Sequence, residues 1–316
     1  MKLIIQIPCL NEEESLPKTL ADLPKRIDGV DTIEILIIDD GSTDRTSQVA
    51  RENGVHHFVR FTKHQGLARA FYAGLDAALK AGADIIVNTD ADNQYKGCDI
   101  PQLVKPILEG KADIVIGNRD IENVKQFSWV KKRLQRLGSW VVRHLAESTI
   151  SDATTGFRAY SREAALKLNI ISDYTYTLET IIQAEHKDLA IVNITITTNE
   201  VKRQSRLFKS IPEYIKRSFL TIIRIYSMFN PFRLFLTLGM AFICMGVLVS
   251  VRFLFYYLLG EGDGKIQSLI FAAVFLIIGF QMIVVGIISD LISANRRLIE
   301  DALLRIKGLE LSKRTE

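Results

Sequence analysis

Residues 84–97 read DIIVNTDADNQYKG: an apolar run, two aspartates two positions apart, then a turn. In an extended chain residues i and i+2 point to the same side, so Asp90 and Asp92 aim two carboxylates at one point where a strand ends. Bringing like charges together costs free energy unless a cation or a proton compensates. Hard oxygen ligands at a strand end suit Mg²⁺ or Mn²⁺, which often share their coordination with substrate phosphates. A solvated, Asp-rich turn accounts for the same letters, and the rest of the chain has to decide.

Working outward from this stretch, apolar strands alternate with helices. Strands are expected at KLIIQIP (2–8), IEILIID (33–39), HHFVRF (56–61), DIIVNTD (84–90) and ADIVIGN (112–118). Helices are expected over 12–27, with the acidic residues Glu12–Glu14 in the first turn, and over 43–53, 66–82 and 100–110. Continuous apolar strands alternating with helices predict a mostly parallel, Rossmann-like α/β sheet covered on both faces. Ligands of such sheets bind beyond the carboxyl ends of the strands. IPCLNEE (7–13), IIDDGSTD (37–44) and NTDADNQ (88–94) all lie there, so three polar loops converge on one crevice. No Gly-x-Gly-x-x-Gly follows the first strand and no Walker-type loop is present. The crevice is instead acidic, with Glu12, Asp39, Asp40, Asp90 and Asp92. Carboxylates can bind ribose hydroxyls or base N–H groups, but a diphosphate needs a metal between it and them.

The 316 residues are 48% hydrophobic with a formal net charge of +4, unevenly spread. Residues 231–290 hold two apolar runs, each longer than the ~20 residues that cross a bilayer as a helix. Lys202, Arg203, Arg206, Lys209, Lys216, Arg217 and Arg224 precede the first run, and Arg296, Arg297, Arg305 and Lys307 follow the second. The positive-inside rule then expects both termini and the large N-terminal domain in the cytosol, as for an inner-membrane protein. Attraction to anionic lipid explains these cations better than nucleic acid does. The expected organisation is a cytosolic domain (1–208), an amphipathic juxtamembrane helix (209–231), two spans (about 232–259 and 266–289) and a cytosolic C-terminal helix (291–316). The apolar period of that last helix leaves self-association open. Arg252, near the outer end of the first span, is placed to snorkel to the interface. The opening MKLIIQIPCLNEEES is too short in its apolar run for a signal peptide. Three scattered cysteines and five histidines form no disulfide framework or metal-ligand spacing.

The motifs IPCLNEEESL, IIDDGSTDRT, HQGLARAFYAGLDAAL, DADNQY, ADIVIGNR and DATTGFRAY resemble, in order and spacing, the family 2 glycosyltransferases of the GT-A fold. Within that family the chain looks most like the polyprenyl-phosphate sugar transferases of the dolichol-phosphate mannosyltransferase type. The resemblance implies that Pro8, Asn11, Glu12, Asp40, Ser42, Gly66 and Asp90 hold a nucleotide-diphosphate sugar. It implies that Asp90, Asp92 and Gln94 surround a Mg²⁺ or Mn²⁺ ion, and that Arg119, Arg133 and Arg158 face the acceptor phosphate or the departing diphosphate, with a loop tie as the alternative for Arg158. Arg203 and Arg206 resemble acceptor-binding cations, although positive-inside flanks account for them equally well. Where some lipid-linked relatives carry Gly-Asp-Phe-Arg, this chain has TGFR, with Asp152 upstream as the nearest carboxylate. The letters QRLGSW lack the Gln-x-x-Arg-Trp spacing of polymer synthases. Glu179 is open to a substrate-positioning role or to a place on a helix surface. The implied reaction is inverting transfer of one sugar from a UDP- or GDP-sugar to polyprenyl phosphate. A lipid hydroxyl or growing glycan as acceptor, and a non-catalytic membrane scaffold, are the alternatives.

Overall fold

The computed structural model describes residues 1–119, 154–171, 176–199, 224, 226–228, 230–260 and 266–312. Arg133, Asp152, Arg203, Arg206 and most of the expected juxtamembrane helix lie outside the described residues. The chain divides into two compact units, Met1–Ile222 with Leu304–Glu316, and Ile223–Leu303.

In the first unit the strands are β1 (Lys2–Cys9), β2 (Thr32–Asp39), β3 (His57–Arg60), β4 (Ile85–Asn88), β5 (Ile114–Arg119), β6 (Arg158–Ser161) and β7 (Ile191–Ile196). The helices between them are α1 (Leu16–Asp22), α2 (Thr46–Glu52), α3 (Leu67–Lys80), α4 (Ile100–Leu108), α5 (Arg162–Lys167) and α6 (Thr177–His186). One sheet joins all seven strands in the order β3-β2-β1-β4-β6-β5-β7. The pairs β1–β2, β1–β4, β2–β3 and β5–β7 are parallel, while β6 runs antiparallel between β4 and β5. It follows that β5 runs with β4. The carboxyl ends of β1, β2, β4 and β5 and the amino end of β6 therefore share one edge.

The apolar runs form strands because both faces of the sheet are covered, which lets every side chain of β1 from Leu3 to Cys9 be buried. Leu3, Ile5, Ile7, Ile37, Val87 and Val115 pack under Leu16 of α1, Ala50 of α2 and Leu103 and Val104 of α4. On the other face α3 buries Phe71, Gly74, Leu75, Ala78 and Leu79, the spacing of one helical stripe. Gly74 is required there: a Cβ would come 2.4 Å from Gln6 Oε1 and 2.8 Å from Ile38 Cδ1. The acidic residues expected in the first turn of α1 precede the helix, which begins only at Leu16. They serve the loop instead, Glu13 accepting the Arg45 N–H at 2.9 Å.

The second unit is built on α7 (Pro231–Leu258) and the first part of α8 (Ile266–Ser312), both long and apolar enough to cross a membrane. Their contact is made of small residues seven apart: Gly239 and Gly246 on α7, and Ala272, Gly279, Gly286 and Ser293 on α8. A Cβ on Gly239 would meet Gly279 O at 2.8 Å, one on Gly246 would meet Ala272 O at 3.1 Å, and one on Gly286 would meet Phe235 Cβ at 3.0 Å. Ascending positions on α7 thus face descending positions on α8, an antiparallel hairpin with touching backbones. The remaining surface is apolar and exposed, Leu248, Phe255, Ile270 and Phe280 among it. Near the end of α7, the Arg252 guanidinium stacks 5.9 Å from the Tyr256 ring centroid, as a cation at an interfacial aromatic belt does. The separate C-terminal helix expected from 291 onward is the same helix as the second apolar run, since α8 continues unbroken for 47 residues. Its end belongs to the first unit, where Lys307 Nζ donates to Tyr72 Oη (3.0 Å) and Asn169 Oδ1 (3.2 Å).

Candidate active site at the carboxyl edge

The loops that leave β1 and β2 are laced together. Asn11, held at φ 54°, accepts the Thr43 N–H on its Oδ1 (2.8 Å), and its own N–H donates to Ser42 Oγ (3.0 Å). The Glu12 N–H donates to Thr46 Oγ1 at 2.8 Å. Asp39, fully buried, accepts the Ser42 N–H at 2.8 Å and the Ser47 hydroxyl. Pro8, Asn11, Glu12, Asp40 and Ser42 are thereby brought to one corner of the edge.

Asp40 is committed to the chain. Its two oxygens accept the N–H groups of Gln65 (2.7 Å) and Gly66 (2.9 Å), and His64 Nδ1 lies 2.7 Å from Oδ2. Gly66 takes φ 103°, ψ 157°, a conformation open essentially to glycine alone, and this lets the turn bring both N–H groups onto one carboxylate before α3 begins. Asp40 and Gly66 thus fix the wall of the crevice at the start of α3.

Asp90 and Asp92 follow the end of β4. Asp92 Oδ1 accepts the Gln94 N–H at 3.0 Å, and Asn93 takes φ 55°. The turn is pinned from outside: Asn199 N–H donates to Gln94 O (2.9 Å) and Asn199 Nδ2 to Asn93 O (3.1 Å). The carboxyl of Asp90 is pushed up to about 7, first by burial and then by the charge of Asp92, with Arg119 opposing and Glu12 adding. Arg119, at the end of β5 and 9% exposed, donates from Nη2 to Thr154 Oγ1 at 3.0 Å. Two acids raise each other's cost of ionisation here with one arginine near them, which is the electrostatic condition a divalent cation relieves. No group of three or more His, Cys, Asp or Glu that could hold a metal occurs among the described residues. Two carboxylates match a cation that takes its other ligands from phosphates and water. The residues present fit Mg²⁺ or Mn²⁺ of that kind.

The segment Thr154–Phe157 enters the same edge ahead of β6. Tyr95 Oη lies 3.3 Å from both Thr155 Oγ1 and Gly156 N, and the Tyr95 and Phe157 rings are stacked at 5.0 Å. Arg158 is turned inward and fully buried, its Nε donating to Thr155 O (2.9 Å) and its Nη1 to Thr177 O (2.8 Å) and Thr180 Oγ1 (2.7 Å). A direct contact with a phosphate would require it to leave these acceptors; as it stands, it ties the segment to the start of α6. Glu179 is no helix-surface residue: fully buried, it accepts the Ile171 N–H at 3.0 Å. Cys9, buried at the end of β1, is pushed well up by burial and by Glu12, Asp39, Asp44 and Asp90, so it stays a thiol and not a nucleophile. Asn88, Tyr95, Gly156 and Tyr176 also line this region without having been singled out; Asn88, Tyr95 and Gly156 fall inside the quoted motifs NTDADNQ, DADNQY and TGFR, whereas Tyr176 carried no signal.

A mostly parallel, mixed α/β sheet with acidic loops at its carboxyl edge defines a GT-A-like domain. A crystal structure of glucosyl-3-phosphoglycerate synthase from Mycobacterium tuberculosis, in complex with Mn²⁺, UDP and glucosyl-3-phosphoglycerate, matches it with a TM-score of 0.58, covering 72% of this chain and 80% of that one. At 21% identity that likeness establishes the fold. The family model for glycosyl transferase family 2 matches residues 4–168, more than half of the chain, and the chain belongs to that family. Among its relatives, the undecaprenyl-phosphate mannosyltransferase of Micrococcus luteus is 32% identical over 208 residues, 62% of this chain and 83% of that protein. The UDP-N-acetylglucosamine–dolichyl-phosphate N-acetylglucosaminyltransferase of Methanococcus voltae is 30% identical over 217 residues, 61% and 83% respectively. The protein is a glycosyltransferase.

Proposed function

We propose that this enzyme transfers one sugar from a UDP- or GDP-sugar to polyprenyl phosphate at the cytosolic membrane face, with inversion at the anomeric carbon. The observation that carries the reading is the Asp90–Asp92 pair beside Arg119 at the carboxyl edge. Asp90 and Asp92, with Gln94 beside them, would hold a Mg²⁺ or Mn²⁺ ion, whose charge offsets that of the donor's diphosphate. Pro8, Asn11, Glu12, Asp40, Ser42 and Gly66 would form the nucleoside side of the crevice. Arg119 would hold the acceptor phosphate against the anionic donor, aided by Arg133, Arg203 and Arg206 from outside the described residues; Asp152 also lies there. Bidentate arginine contacts suit that task. Arg158 would act one step back, by fixing the segment that places Thr154 under Arg119.

The acceptor's phosphate oxygen attacks the anomeric carbon as the bond from that carbon to the nucleoside diphosphate breaks, and the diphosphate leaves with the electron pair. A phosphate monoester has a second pKa of roughly 6 and is already largely ionised near neutral pH. No general base is then needed, whereas a lipid hydroxyl acceptor would require one. The names of the Micrococcus luteus and Methanococcus voltae relatives, both lipid-phosphate transferases, support this acceptor class. The two apolar helices support a bilayer anchor for an acceptor whose tail stays in lipid.

The test is to incubate the membrane-embedded protein with polyprenyl phosphate, Mn²⁺ and a panel of radiolabelled UDP- and GDP-sugars, and to count label in the organic extract. Acid-labile, organic-soluble label from one donor, lost in Asp92→Asn, is the expected result. Absence of label with every donor, while nucleotide binding persists, would move the reading to a hydroxyl or glycan acceptor.

A further inference from the structure

Beneath Asp90 lies a buried polar chain that the reaction above does not use. Gln6 Nε2 donates to Asn88 Oδ1 at 2.9 Å. Asn88 Nδ2 donates in turn to Tyr176 Oη (2.9 Å) and to Gly156 O (2.8 Å), and the Tyr176 hydroxyl lies 3.4 Å from the same carbonyl. Gln6 and Asn88 are fully buried and Tyr176 is 1% exposed. The Tyr176 ring stacks on Phe71 with centroids 3.8 Å apart and planes 4° from parallel. For that stack a phenylalanine would serve as well, without the cost of taking a hydroxyl out of water. The oxygen of Tyr176 therefore has another use.

That use is visible at Gly156. A Cβ added there would fall 2.9 Å from Tyr176 Oη and 3.0 and 3.3 Å from the two carboxylate oxygens of Asp90. The phenol and the carboxylate thus both face the open side of the Gly156 Cα, where only a glycine leaves them room. Its carbonyl is held by Asn88, which stands two residues before Asp90 on the same strand end. One short hydrogen-bonded unit, Asn88–Tyr176–Gly156, joins the end of β4, the entry to β6 and the start of α6 around the back of Asp90.

We propose that Tyr176 is a positioning residue for Asp90: with Asn88, its hydroxyl sets how closely Gly156 approaches, and so fixes the Asp90 carboxylate for the cation and the diphosphate. The proposal rests on the reading of Asp90 and Asp92 as the cation site. Removing the oxygen leaves the Asn88 amide short of an acceptor, frees Gly156 to shift toward the vacated volume, and loosens Asp90 without touching the nucleoside side of the crevice. Support of this indirect kind is worth roughly 10–100-fold in metal affinity where it has been removed from other metal sites.

The experiment uses the full chain in detergent, titrating Mn²⁺ in the presence of UDP, and separately of GDP, by calorimetry, and recording a melting temperature for each variant. Tyr176→Phe keeps the stack on Phe71; Phe71→Leu disturbs the stack and keeps the hydroxyl. The expected result is a roughly 10-fold weaker apparent Mn²⁺ affinity in Tyr176→Phe with a nearly unchanged melting temperature, and the reverse pattern in Phe71→Leu. Wild-type Mn²⁺ affinity in Tyr176→Phe would overturn the proposal and leave the cation site standing. Affinity losses that simply track melting temperature in both variants would overturn it too, in favour of a packing role. A wild-type protein that binds neither nucleotide with Mn²⁺ would overturn the cation site itself, and this inference with it.

Discussion

Glycine does opposite work in the two units of this protein. At the carboxyl edge Gly66 and Gly156 bring backbone up against particular polar atoms: Asp40 in the one case, Tyr176 and Asp90 in the other. In the α7–α8 hairpin Gly239, Gly246, Gly279 and Gly286 bring backbone up against the facing backbone and apolar side chains, and no particular polar side chain is involved. The edge needs named atoms in named places; the hairpin needs only missing volume. The two should therefore fail differently. Loss of one oxygen should cripple the edge and leave the fold, whereas added carbon should damage the hairpin whatever its chemistry.

The sharpest way to break that contrast is at Asp92. Asp92→Asn keeps the side chain's shape and its bond from Gln94 N–H, so the melting temperature should hold while transfer falls by at least roughly 100-fold, since even indirect supports of a metal site cost up to that much. A mutant that retained transfer would end the cation reading of this edge. Next in size is Gly279→Leu, which forces a side chain where a Cβ already meets Ile243 Cγ1 at 2.6 Å and Gly239 O at 2.8 Å. Overpacking of this kind costs about 1–3 kcal/mol or more, read as a lower melting temperature in detergent. Gly308→Ala, on the same helix with nothing within 4 Å of its Cβ, should go the other way by up to ~1 kcal/mol. Equal effects at 279 and 308 would mean that the hairpin contact does not form.

Gly156→Ala sharpens the comparison from the side of the edge. The added methyl must displace either the Tyr176 hydroxyl or Asp90, so transfer should drop about 10-fold with a smaller change in melting temperature than Gly279→Leu produces. The smallest effect concerns a cluster of three charged or titratable groups remote from both regions, Lys2, Glu34 and His57. Burial would raise the carboxyl of Glu34, but hydrogen bonds and charge from Lys2 and His57 outweigh it and hold the group below its ordinary 4.5. A carboxyl lowered by folding stabilises the fold above the unfolded value and loses that contribution as pH falls through the folded one. Glu34→Gln should thus remove at most about 1 kcal/mol at neutral pH and flatten the loss of stability seen on acidification below about 4.5.

Much of the edge was legible because its signals are local. An apolar run ended by a polar loop marks a strand end, and β1 to β5 fall where the alternation expects them, with Asp39 ending β2 and Asp40, Asp90 and Asp92 just beyond the strands. What escaped was non-local. β6 is four residues long, RAYS, and inserts antiparallel between two strands far from it in sequence, which no periodicity announces. Arg158 is open from the sequence to a phosphate-facing role, by resemblance, or to a loop tie; the bonds to the carbonyls of Thr155 and Thr177 are those of a tie. Glu12–Glu14 looked like a helix's acidic first turn, although Glu12 and Glu13 bond across to the loop after β2. The fall in hydropathy after Ser289 suggested a boundary, yet Asp290 and its successors are compatible with helix and α8 simply continues.

The insertion of β6 also orders events in time. Asn88 pairs with Arg158, so β4 has no neighbour on that side until 70 further residues have been made. At roughly 5–20 residues per second of synthesis, the wait is on the order of 4–14 seconds. Throughout it, the strand that leads to Asp90 and Asp92 presents an open apolar edge of the kind that invites wrong partners. The site therefore closes late, and a nascent chain stopped before Arg158 would carry Asp90 and Asp92 without the strand that pairs beside β4.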